Sequence, residues 1–86
     1  MCSIEVSPQA KKELKKLGCD KHRFLRLCVR KRRKNPDYLA FVDSTLRESD
    51  EILIDSGECR VVSDVNNVPM LDGVKVDFGS SFVFNR

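Results

Sequence analysis

No apolar run in the 86 residues approaches the ~20 needed to cross a bilayer, and the opening Met1-Cys2-Ser3-Ile4-Glu5 has no apolar export region. The sequence therefore predicts neither a membrane protein nor an exported one. There is a single histidine, so no His pair exists and no obvious triad is present, and the serines lack a nucleophile-elbow context. The four glycines are isolated, which excludes a Gly-rich phosphate loop. These absences point away from an enzyme. Repeats, linkers and low-complexity segments are also missing. The four cysteines, Cys2, Cys19, Cys28 and Cys59, are 17, 9 and 31 positions apart, and no Cys-x-x-Cys pair exists. Without an export signal, the expectation is reduced thiols in the cytoplasm, or in an organelle matrix if a targeting segment has been removed.

What is present fits one small domain spanning residues 1–86, with 41% hydrophobic and 34% charged residues. A chain of this size buries roughly 60–65% of its unfolded surface, enough for one thin core. The net charge of +3 conceals a division. Residues 1–43 carry 12 basic and 5 acidic groups, a net +7; residues 44–86 carry 4 and 8, a net −4. Lys11–Lys16 and Arg30–Lys34 hold most of the basic excess.

Local patterning predicts a β-rich α+β chain. Ser3–Val6 alternates like a short strand. Ser7-Pro8 starts a helix, with Ser as cap and Pro where a missing N–H costs nothing. Ala10, Leu14 and Leu17 form one apolar stripe on a Lys-covered helix that Gly18 ends. Phe24–Arg30 reads as a strand with Leu25, Leu27 and Val29 on one face and Arg26, Cys28 and Arg30 on the other. Asn35-Pro36-Asp37 is a turn signal before the strand Tyr38–Val42. Glu51–Asp55 and Cys59–Ser63 pair as a hairpin, Asn67 starts a helical turn through Leu71, and Val74–Phe78 and Phe82–Phe84 are the last strands. The expected architecture is a compact β-sandwich or distorted barrel of six or seven short strands with one N-terminal helix.

The order of these phrases resembles the A-type iron–sulfur carrier family, also called HesB/IscA-like. Ile4-x-Val6-Ser7-x-x-Ala10 resembles its opening strand and helix cap, and Leu25-Arg26-Leu27-x-Val29 its first core strand. Tyr38-x-x-Phe41-Val42-Asp43, Asp50-Glu51-Ile52, Asp55-x-Gly57 and Val61-Val62-x-Asp64 follow in family order. Leu71-Asp72-Gly73-x-x-Val76-Asp77-Phe78 is the most specific phrase, and Ser81-Phe82-x-Phe84-Asn85 resembles the closing strand. The likeness runs from about Ser3 to Asn85. It implies a HesB-like fold and a role in iron–sulfur cluster assembly.

The resemblance also implies a Gly-Gly-Cys-Ser-Gly-like loop after the Leu-Arg-Leu strand and a Cys-Gly-Cys tail. Here the loop interval is Lys31-Arg32-Arg33-Lys34-Asn35-Pro36-Asp37, and the sequence given ends at Asn85-Arg86. Iron–sulfur clusters are normally held by thiolates, and a run of cations repels iron. The expectation is a degenerate member with no cofactor, or with a cluster on non-family ligands only. Cys28 and Cys59 are the metal candidates if their strands are adjacent; the plainer reading is two small residues on strand faces. Cys19-x-x-His22 has a spacing zinc can use but needs two further ligands.

Arg30, Lys31, Arg32, Arg33 and Lys34, with Tyr38 beside them, are the candidate partner- or anion-binding residues; the plainer reading is a solvated loop. Two functions remain open. One is a non-catalytic iron–sulfur biogenesis protein acting through a protein partner or self-association. The other is the same fold used as a structural or nucleic-acid-associated module through the basic loop, with Tyr38 stacking on a base. The acidic residues Asp50, Glu51, Asp55, Asp64, Asp72 and Asp77 read as turn formers. Lys11, Lys12, Lys15 and Lys16 read as the wet face of the helix.

Overall fold

A computed structural model describes residues 3–19, 22–31, 36–55 and 59–85. Among them are seven strands and two helices: β1 (Ile4–Val6), α1 (Pro8–Lys16), β2 (Phe24–Lys31), β3 (Pro36–Asp43), β4 (Asp50–Asp55), β5 (Arg60–Asp64), α2 (Val68–Leu71), β6 (Val74–Phe78) and β7 (Phe82–Asn85). The mainly-β expectation with an N-terminal helix holds, and α2 is the short turn expected after Asn67.

The start of α1 follows from its first two residues. Ser7 Oγ accepts a hydrogen bond from the Ala10 N–H at 3.1 Å, and Pro8 occupies the first helical position. At the far end the Gly18 N–H donates to Lys15 O and the Cys19 N–H to Leu14 O. This is a Schellman closure, and it requires the positive φ of +77° that Gly18 supplies. The closure also revises the apolar stripe. Ala10 and Leu14 are fully buried, but Leu17 is 38% exposed. The chain turns at Leu17, and Cys19 takes the third core position.

The strands form two sheets. β1, β6 and β7 make a three-stranded sheet in the order β1-β6-β7; the second has the order β3-β2-β5-β4. β1 runs parallel to β6, with Ile4 opposite Val74, and β6 pairs antiparallel with β7. β2 pairs antiparallel with β3 and parallel with β5. The β4–β5 pairing is antiparallel, as expected, with a register shift between Ile52 and Ile54. Leu14, Leu25, Leu27, Val61, Leu71 and Val76 form the centre of the core between helix and sheets.

Candidate functional site

The face of β2 opposite Leu25 and Leu27 is the first departure from simple alternation. Arg26 lies on it and is nonetheless only 4% exposed. β3 and β4 are opposite edges of their sheet, so residues 44–49 must cross from one edge to the other. They cross over the Arg26 face. Arg26 Nε donates to Asp43 Oδ2 at 2.8 Å, where β3 ends. Its Nη1 and Nη2 donate to the two carboxylate oxygens of Asp50 at 2.6 and 2.7 Å, where β4 begins. Nη2 also donates to the Thr45 carbonyl at 3.0 Å, in the crossing segment itself. The guanidinium carbon lies 5.4 Å from the Phe24 ring centroid. One side chain thus ties both ends and the middle of a strap.

The electrostatics follow this geometry. Hydrogen bonds from Arg26 hold the Asp50 carboxyl at about 2 and lower that of Asp43, while Asp50 raises the Arg26 guanidinium above its ordinary value. The Asn66 N–H and the Ser49 hydroxyl lower Asp64. The Ser7 hydroxyl, donating at 2.6 Å, lowers Asp77. Asp50 therefore does more than the turn role expected of it. The sequence signal was an Arg set between two core leucines, followed by an Asp at each end of the β3–β4 connection.

The candidate binding residues lie at the other end of β2. Arg30 is exposed and stands opposite Asp37 across the strand pair. Lys31 stands opposite Pro36 in the same register. Arg32, Arg33 and Lys34 lie outside the described residues. Tyr38 is half-buried: its ring stacks on Phe84 at 5.4 Å between centroids, and its hydroxyl donates to the Met70 carbonyl at 3.4 Å. One face of the ring is therefore committed to the contact between the two sheets. The same stack sets β7 beside the strand pair that carries the basic connection.

The cysteines are dispersed. Cys28 is half-buried opposite Leu39, whereas Cys59 is 2% exposed in the core. The parallel register sets Leu27 opposite Ser63, so Cys59 falls level with position 23. That leaves five residues of strand, about 17 Å, between Cys28 and Cys59. Cys19 turns into the core, while His22 is exposed. Among the described residues no group of three or more His, Cys, Asp or Glu is placed to hold a metal ion. The described cysteines thus do not fit a shared cluster.

No family model and no curated protein matches the sequence. Solved structures do. The Escherichia coli SufA structure, described as involved in biosynthesis of iron–sulfur clusters, superposes with a TM-score of 0.73 at 19% identity, over 96% of this chain and 77% of that one. IscA, solved with a [2Fe-2S] cluster, superposes with a TM-score of 0.74 at 20% identity, over 98% of this chain and 82% of that one. The chain has the SufA/IscA fold. At such identities the likeness is one of fold, and it bears out the HesB/IscA-like architecture that the residue phrases implied.

The IscA structure corrects one expectation. A chain of this fold holds a [2Fe-2S] cluster, so the fold points to an iron–sulfur cofactor rather than to none. The expectation of no cofactor rested on the family's ligand positions and on the cation run that follows β2, and it does not stand. Among the described residues no helix is long and apolar enough to cross a membrane.

Proposed function

We propose that the protein serves iron–sulfur cluster biogenesis as a non-enzymatic member of the A-type carrier group, working through contact with a protein partner. The observation that carries this reading is the SufA/IscA fold over nearly the whole chain, in the same order as the family phrases from Ile4 to Asn85. In this reading the β2–β3 end is the altered functional region. Cations occupy the interval where the resembled family has its Gly-Gly-Cys-Ser-Gly loop, and the partner presents an acidic surface to Arg30 and its neighbours.

The test is a titration of isotopically labelled protein with a cluster-loaded carrier of the same fold. Expected are amide shifts concentrated at the β2–β3 end, abolished by replacing Arg32, Arg33 and Lys34 with Ala. Binding that ignores this triple change, or no binding at all, would remove the reading. Single-stranded RNA or DNA titrated at two salt concentrations separates the nucleic-acid alternative. That alternative requires a salt slope reduced by about 2–3 in the triple variant.

A further inference from the structure

Among the described residues, the outer face of α1 is a densely charged surface that neither the strap nor the β2–β3 end accounts for. Lys11, Lys12, Lys15 and Lys16 are all exposed on a nine-residue helix. None of the four takes part in an ion pair among the described residues. Lys11 with Lys15 and Lys12 with Lys16 are four apart, and Lys12 with Lys15 three apart, so like charges stack along one side. The first turn carries no acidic residue, and Lys11 and Lys12 follow directly on the positive end of the helix dipole. The face is therefore self-repelling. Helix formation alone gives no reason for it, because alternating Glu and Lys would suit an exposed helix better. A shallow concavity of about 240 Å³ lined by Pro8, Lys11, Lys12 and Lys15 runs along it.

We propose that this lysine face docks a short acidic segment of a partner protein. All four cations are lysines, compact point charges without the planar fork that grips phosphate in two places. The helix carries no aromatic residue on which a base could stack. Its length, about 13.5 Å, matches a short segment rather than an extended polyanion. A carboxylate-bearing segment gains from every lysine and relieves the repulsion between them. This surface is separate from the Arg30–Lys34 run and is testable apart from it.

The experiment uses the full chain with a fluorescent hexaglutamate peptide at about 50 mM salt, where exposed charges are weakly screened. The variant K11Q/K12Q/K15Q should weaken binding by roughly tenfold or more. K11R/K12R/K15R should retain it, and R32A/R33A/K34A should change it much less. The Gln variant should unfold at a temperature no lower than the parent, since it removes repulsion. Undiminished binding in the Gln variant, or an equal loss in the loop variant, overturns the proposal. So does tighter, lysine-dependent binding of a single-stranded oligonucleotide or of phosphatidylserine vesicles.

Discussion

Arg26 and Asp50 face each other as a two-pronged ion pair, with both guanidinium Nη atoms on both carboxylate oxygens at 2.6 and 2.7 Å. The Asp50 side chain is 1% exposed and that of Arg26 5%. Removing one partner of such a pair leaves a buried charge unmatched. Asp50→Asn is therefore expected to destabilise the protein by about 3–5 kcal/mol. Asp43, which is 25% exposed, should cost less when changed to Asn, because water can replace it. Urea unfolding of the two variants checks the order; equal costs would mean that the strap does not depend on the buried pair.

Stability should fall in acid, and Asp50 should be a main cause. Its folded carboxyl is held at about 2 by Arg26, below the ordinary value of 3.8. A depressed carboxyl contributes stability above its unfolded value and loses it as pH falls towards the folded one. The loss should therefore run from about pH 4 down to about pH 2, with Asp43, Asp64 and Asp77 acting in the same direction. Thermal unfolding against pH is the measurement. Asp50→Asn should flatten that window, and an unchanged profile would count against the pair.

Both ends of α1 depend on single residues. Ser7→Ala removes the cap to Ala10 and the hydroxyl that Asp77 accepts from, with an expected cost of about 0.5–2 kcal/mol. Gly18→Ala forces a side chain into φ +77° and should cost about 1 kcal/mol or more, although nothing crowds the added carbon. Chemical denaturation of both variants gives the values. A neutral Gly18→Ala would show that the helix end can close another way.

Thiol reactivity should separate the described cysteines. Cys28 is half-buried on a sheet face, whereas Cys19 and Cys59 are 7% and 2% exposed. A soluble disulfide reagent should therefore modify Cys28 well before Cys19 and Cys59, which should react only as the protein unfolds. Peptide mapping after timed labelling reads the order. Early labelling of Cys59 would contradict its place in the core.

Much of the local structure was legible in the residues. Ser7-Pro8 and Gly18 marked the ends of α1 and Leu25-x-Leu27 the inward face of β2, because caps and alternation act within a few residues; α2 follows Asn67 as expected, although the Asn67 side chain makes no capping hydrogen bond. The strand count and the mainly-β class followed from local patterning, and the HesB/IscA-like fold from the order of the family phrases. Leu17 and Arg26 went against their patterns. Leu17 lost its core place when the Schellman closure turned Cys19 inward. Arg26 became buried because residues 44–49 cross over it, which no local period encodes.

The candidate site shows the same division. The sequence by itself determined that cations fill 30–34, that Tyr38 follows them, and that the cysteines are widely spaced, since composition and spacing are properties of the chain. Only the tertiary structure decided that Tyr38 is half spent on Phe84, that Cys28 and Cys59 sit at different levels of their sheet, and that the acidic residues Asp43 and Asp50 converge on Arg26. Pairings such as Ile4 with Val74 join positions 70 residues apart. They are set by which apolar faces can be buried together, a property of the whole chain rather than of any stretch of it.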